Sequence, residues 1–455
     1  MYLLYSLLLT LGMIVLLPRF AIDALRAGKY VTGFRQRLGR LTALPNSDQP
    51  LLWLHCVSVG ETEAARPLVK GLREQFPNHR LAISTTTVTG QHVAARAFAD
   101  DACAIFYFPI DWAWTVRRVL RTLRPAAVLI METELWPNLL RECRRQSIPL
   151  ALLNARISQN SFRRYLLIRG FMRRVLGDLS VAIMQSEPDA DRIRHLGLPA
   201  DRLLMHGSLK FDSAKPAVED ESLADRFRAR FGLYSNQKII VAASTHAPEE
   251  SIVIEAFRRL MHSEESDSVR LIIAPRHPER FEEVGKQLDA SGLKWCRRSE
   301  AESNADRTAD AILLDTIGEL RAAYALADIA FVGGSIATRG GHNVLEPAAQ
   351  GVCVVTGAHM NNFAAITNAL LEQNAIVQLP NVRSEEAPAM LASTLRSLLS
   401  DAERRQQLNS RALAVCEQNR GATKRTIEAI ARLVDESSST TPPIPFTAYE
   451  PAATK

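Results

Sequence analysis

Residues 51–61 read LLWLHCVSVGE, and their interpretation decides the fold. The run Leu51-Leu-Trp-Leu is apolar at every position, the pattern of a strand covered on both faces rather than on one. Gly60 then permits a tight turn. Glu61 opens an amphipathic stretch over 61–76 that the spacing predicts as a helix. One buried strand running directly into one helix is the first half of a β-α-β unit.

Outward from that stretch the same unit recurs. RLAISTTT (80–87), AAVLIME (126–132), IPLALLNAR (148–156) and VAIMQS (181–186) read as strands, with helices over 90–99 and 136–146. The polar stretch DSAKPAVEDES (212–222) interrupts the alternation as a linker would. It then restarts with KIIVAAST (238–245), VRLIIAP (269–275), AILLD (311–315), ADIAFVGGS (327–335) and GVCVVTG (351–357) as strands. Helices are predicted over 249–261, 278–290, 320–327, 385–400 and 402–433. The expected architecture is α/β, two Rossmann-like doubly wound domains facing a central cleft. The expected boundaries are a membrane anchor (1–20), a first domain (21–212), a linker (213–222), a second domain (223–435) and a disordered Pro-rich tail (436–455).

Composition narrows the function classes. Of 455 residues 47% are apolar and 23% charged, which excludes a disordered or collagen-like chain. Cys56, Cys103, Cys143, Cys296, Cys353 and Cys416 are scattered without a CxxC pair, so a disulfide scaffold and a zinc ribbon are excluded too. The net charge of +6 suits an anionic surface or substrate. Residues 3–17 are almost wholly apolar and uncharged, and Arg19, Arg26, Lys29, Arg35, Arg37 and Arg40 follow against Asp23 alone. That predicts an uncleaved anchor with the bulk of the chain on the cytoplasmic side. A helix lying in the membrane interface is the rival. The stretch 163–174 (RRYLLIRGFMRR) mixes bulky apolar residues with arginine, either as a membrane-facing surface or as an ordinary helix with a basic face. No nucleic-acid-binding module accompanies it.

Chemistry gathers where strands end. Glu61 stands at a helix start, where the dipole would favour its ionised form; it is either a general base or a glutamate satisfying backbone N–H groups. Glu132 ends the strand AAVLI beside NARIS (154–158). Lys210, in GSLKFD before the linker, and Arg276, in PRHPER after a buried strand, can meet phosphate or developing negative charge. The glycines of FVGGS (331–335) and GGHNVLEP (340–347) permit close backbone approach to a phosphate, and Asn343 and Glu346 have capping-box spacing. These loops match neither the P-loop nor the GxGxxG fingerprint. Asp189 and Asp191 imitate a DxD metal motif, but residues two apart on a helix do not face together. No metal site is expected.

Taken in order, the anchor, HCVSVGE, METELWPN, NARIS, GSLKFD, ASTH, PRHPER, IGEL and FVGGS…GGHNVLEP closely resemble the 3-deoxy-D-manno-octulosonic acid (Kdo) transferase family. The resemblance implies a GT-B fold. It implies an inverting, metal-independent transfer of Kdo from CMP-Kdo to lipid IVA in lipopolysaccharide biosynthesis, at the inner membrane and without a cofactor. Its catalytic base falls on Glu61 and its helpers on Glu132 and Lys210. CMP would be held by Pro275 and Arg276, by Ile317, Gly318 and Glu319, and by Asn343, Val344, Leu345 and Glu346. Pro248 stands where the family pattern has glycine. The alternatives are another GT-B nucleotide-sugar enzyme, either a lipid-directed N-acetylglucosaminyltransferase or an epimerase, and a non-catalytic membrane-tethered nucleotide-binding protein.

Overall fold

The computed structural model describes residues 1–27, 33–42, 44, 47–213, 218–234, 237–261 and 269–438. The chain divides into two compact units, one of Met1–Ser213 with the chain from Arg420, the other of Ala214–Asn419.

The first unit is built on β1 (Leu51–His55), β2 (Arg80–Thr85), β3 (Ala104–Tyr107), β4 (Ala127–Met131), β5 (Leu150–Ala155), β6 (Val181–Met184) and β7 (Leu203–Met205). They form one parallel sheet in the order β3-β2-β1-β4-β5-β6-β7. Every residue of β1, β4 and β5 is buried, as the continuous apolar runs require. Successive side chains serve opposite faces. Trp53, Ile130 and Leu152 pack in one core, while Leu54, Leu129 and Leu153 pack in the other. The strand order reverses between β1 and β4, the position where doubly wound sheets place ligands.

The second unit repeats the plan with β8 (Lys238–Thr245), β9 (Val269–Pro275), β10 (Trp295–Arg297), β11 (Ala311–Leu313), β12 (Ile329–Val332), β13 (Cys353–Thr356) and β14 (Val377–Gln378). The order is β10-β11-β9-β8-β12-β13-β14, again parallel throughout. Its reversal lies between β8 and β12.

The elements differ from expectation at several points. The helix predicted over 61–76 is two, Val59–Ala64 and Arg66–Gln75, because Pro67 lacks an N–H and starts a new first turn. The helix predicted over 402–433 is also two, Ala402–Gln418 and Ala422–Ser438, broken at Gly421 with φ +82°. The second of these returns to the first unit, so the expected boundary 223–435 is revised at its end. Asp212 accepts the backbone N–H groups of Gly421 (2.8 Å) and Thr423 (2.7 Å), and Ile427 lies over Gly71, where a Cβ would come within 2.2 Å. The units divide after Ser213, at the start of the expected linker. Its residues 214–217, and residues 439–455 of the expected disordered tail, lie outside the described residues.

The N-terminal helix spans Tyr2–Ala27. Among the described residues no helix is long and apolar enough to cross a membrane, so a spanning anchor is not supported. The physical reason is on the helix itself. One side docks on the first unit through polar groups. Tyr2 donates to Asp178 (2.6 Å), Ser6 accepts from Asn138 (3.0 Å), and Thr10 accepts from the Trp112 indole (3.0 Å). The opposite side exposes Leu3, Leu4, Leu7, Leu8, Leu11, Ile14 and Val15.

Candidate active site

In the first unit the chemistry collects where β1, β4 and β5 end. The chain leaves β1 at His55, turns through Ser58 and enters the short helix Val59–Ala64. Glu61 is buried there, 8% exposed. Its Oε2 accepts the Val57 N–H (2.7 Å) and its Oε1 accepts the Ser58 hydroxyl (3.3 Å). The carboxyl pKa is pushed up to about 8, first by burial and next by the charge of Glu132. The expectation that the helix dipole holds it low is therefore corrected. A helix start supplies only a fraction of a charge, whereas burial and a like charge both disfavour the carboxylate. His55 is fully buried, stacked on Phe108 at 4.0 Å and bonded to Ser84, and burial pushes its pKa down to about 3. It is a neutral core residue.

Glu132 follows β4 with φ +55°, a left-handed backbone that a residue with a Cβ adopts only at a cost. Its Oε1 lies 3.1 Å from Lys210 Nζ and its Oε2 3.2 Å from Arg156 Nε. Sequence-separated Glu61, Glu132 and Lys210 thus form one cluster. Arg156 of the NARIS segment, to which the sequence assigned no role, belongs to it. Asn154 also has a left-handed backbone, φ +51°, and its side-chain oxygen accepts the Leu209 N–H (3.0 Å). That bond fixes the turn that delivers Lys210. Glu134, in the same loop as Glu132, has its pKa raised, chiefly by burial.

Asp189 and Asp191 part as expected. Asp189 accepts the Ile157 N–H (2.9 Å) and the Ser186 hydroxyl, while Asp191 pairs with Arg194. Among the described residues no group of three or more His, Cys, Asp or Glu is arranged to hold a metal ion.

In the second unit β8 and β9 end side by side. The Arg276 N–H donates to Thr245 O (3.0 Å), and the Arg276 side chain is exposed. Its charge reaches His246, His342 and Glu346. His246 and His342 are stacked, with their Nε2 atoms 2.8 Å apart, and His277 packs edge-on against His246. Burial, then neighbouring positive groups, lower both His246 and His342 to about 4. The stacked pair is neutral at physiological pH, and one ring donates its single proton to the other.

The remaining predicted donor residues divide. Ile317 is 84% exposed, beside Gly318 at φ +91°. Glu319 accepts from Thr316 in its own turn and from Arg298 (2.8 Å), which follows β10, so its carboxylate is already engaged. Asn343 donates to Glu346 Oε1 (3.1 Å) and accepts the Leu345 N–H (3.1 Å). The helix Leu345–Ala349 has Val344 at its N-cap, so Asn343 makes a local turn instead of the expected capping box. Burial raises the Glu346 pKa. Pro275 closes β9 and is buried.

Sequence reasoning missed Glu249. This fully buried carboxylate accepts five backbone N–H groups, those of His246 (3.0 Å), Gly334 (2.6 Å), Ser335 (2.8 Å), Ile336 (2.8 Å) and Ala337 (3.1 Å). The glycine loop expected to cradle a phosphate is therefore already filled by an internal anion. Gly333 is required there, because a Cβ would meet Thr245 Cα at 2.7 Å and Glu249 Oε2 at 2.8 Å. The signal was present in the sequence: an acidic residue opening the helix after β8, and a glycine-rich loop after the neighbouring strand.

Comparisons with known proteins place the chain among relatives. The family model described as 3-Deoxy-D-manno-octulosonic-acid transferase (kdotransferase) matches residues 32–213. The 3-deoxy-D-manno-octulosonic acid transferase of Haemophilus influenzae is 33% identical over 401 residues, 87% of this chain and 91% of that protein. The enzyme of the same name from Bordetella pertussis is 34% identical, covering 83% of this chain and 86% of its own. Among solved structures, UDP-GlcNAc 2-epimerase from Neisseria meningitidis superposes with a TM-score of 0.57 at 11% identity, over 84% of this chain and all of that one. At that identity the likeness shows a shared fold alone.

Proposed function

Because this chain belongs to the Kdo transferase family and is a glycosyltransferase of GT-B fold, we propose that it transfers Kdo from CMP-Kdo to a sugar hydroxyl of lipid IVA in lipopolysaccharide biosynthesis. The reaction is inverting and uses no metal. Glu61, as carboxylate, takes the proton of the acceptor hydroxyl. The freed oxygen attacks the anomeric C2 of Kdo as the bond from C2 to the phosphate oxygen breaks, and CMP leaves with the electron pair.

The observation that carries this reading is the placement of Glu61, buried at the end of β1 beside Glu132, Lys210 and Arg156 with only one N–H and one hydroxyl on its carboxyl group, which pushes its pKa up to about 8. A general base works best when its pKa lies near the working pH, because it then holds the proton firmly yet is substantially ionised. Glu132, paired with Lys210 and Arg156, adds to the upward push that burial begins, and it orients the lysine. In the second unit Arg276, with the stacked histidines and the first turn of the helix Leu345–Ala349, supports the nucleotide phosphate in place of a metal. Exposed Ile317 offers an apolar face to the base. Pro275, Gly318, Glu319, Asn343, Val344 and Glu346 shape that surface.

The N-terminal helix supports a location at the cytoplasmic face of the inner membrane. Its docked side and its exposed leucine side together describe a helix lying in the interface, with the half-exposed Leu166 and Ile168 and the exposed Leu167 contributing nearby apolar surface. Incubation of the purified protein with CMP-Kdo and lipid IVA, read by mass spectrometry, tests donor, acceptor and number of sugars together. The expected product is lipid IVA plus Kdo, formed equally with EDTA present. Transfer from UDP-N-acetylglucosamine but not from CMP-Kdo would instead support the alternative nucleotide-sugar enzyme.

A further inference from the structure

A half-open pocket of about 260 Å³ lies on the first unit, beside the carboxylate cluster. The N-terminal helix, the turn after β4 and the helices Gln159–Leu167 and Arg169–Leu176 line it. Its wall includes Tyr5, Trp136, Tyr165, Ile168, Phe171 and Met172. No lysine, arginine or histidine is among its lining residues, so it offers no charge to a phosphate or a sugar carboxylate. Glu134 is its one carboxyl, and burial already disfavours the ionised form of that group. Such a lining accepts hydrocarbon.

Two neighbours say which hydrocarbon. The loop that forms one wall begins at Glu132, so the cavity is continuous along the chain with the acidic cluster. At the rim, Ile168 is 49% exposed and its neighbour Leu167 86%, and the helix that supplies Tyr5 turns its leucines outward. A ligand with its polar head at Glu61 and Glu132 and its tail towards that apolar surface would pass this cavity. We propose that the cavity seats one acyl chain of the acceptor lipid. The N-terminal helix is then a wall of the acceptor site as well as a membrane contact. This rests on the reading of the acceptor as an acylated lipid.

Two measurements on the full chain in detergent micelles test it. In the first, lipid IVA carrying a diazirine on one acyl chain is photolysed with the protein, and labelled peptides are mapped. Label within 133–137 and 165–172 is expected. Label confined to the outward residues of 3–16, or none, overturns the proposal. In the second, kcat/KM is compared for lipid IVA and its deacylated form. The preference for the acylated acceptor is expected to fall roughly tenfold in Ile168→Asp, the effect of spoiling one or two buried methylene contacts. An unchanged preference in a variant with wild-type thermal stability overturns it. Transfer with label elsewhere removes the acyl site and leaves the function standing. Label in the cavity without Kdo transfer to either acceptor keeps the site and removes the function.

Discussion

The first strand of each unit, β1 and β8, runs into a turn that buries a glutamate, Glu61 in one unit and Glu249 in the other. Burial pushes the pKa of both upward. Their partners differ. Glu249 accepts five backbone N–H groups and has no capacity left for a substrate. Glu61 accepts one N–H and one hydroxyl, and its neighbouring charge is another carboxylate. The same place in the same fold is thus a structural pin in one unit and an under-satisfied acid in the other. Burial alone does not mark a reactive group; burial with few donors does.

Substitutions can break this contrast. The largest effect is expected from Glu61→Ala: transfer falls by roughly a thousandfold, as loss of a general base does, while calorimetry finds CMP binding unchanged. Near-wild-type turnover would move the base elsewhere. Glu249→Gln should act on stability instead. It leaves several buried N–H groups facing an amide, and denaturant unfolding should show a loss of about 3 kcal/mol. A variant as stable as wild type would mean the loop does not need its internal anion. Lys210→Ala comes next, with kcat lower by roughly tenfold. It leaves Glu132 less neutralised, so the rise of kcat/KM with pH should also move to higher pH. Glu132→Gln removes the like charge and should move that rise lower by about one pH unit. A shift in the same direction for both would show that the charge of Glu132 does not contribute to the Glu61 pKa.

The sheets were largely legible in the sequence because buried parallel strands are continuous apolar runs. KIIVAAST and VRLIIAP match β8 and β9 from end to end. The edge strands β3, β7, β10 and β14 were not, being two to four residues long and only partly buried. The helix Ala422–Ser438 was legible as a helix but not as part of the first unit, since Asp212 and Gly71 are distant in sequence and carry no pattern that pairs them with it. The candidate site was legible as positions. Its electrostatics were not: the Glu61 pKa depends on Glu132, which arrives from another strand, and the glycine loop reads as an anion site whichever anion fills it. The N-terminal run read as an anchor because its polar residues Tyr2, Tyr5, Ser6 and Thr10 are few, yet those are the side chains that dock it.

The pH dependence of kcat/KM for Kdo transfer to lipid IVA tests the role of Glu61 most directly. Protonated Glu61 cannot accept the hydroxyl proton, so the rate should rise with pH and level off near an apparent pKa of about 8. A rate already level from about pH 5 upward, the behaviour of an ordinary exposed carboxylate, would contradict a buried, charge-coupled Glu61 as the base.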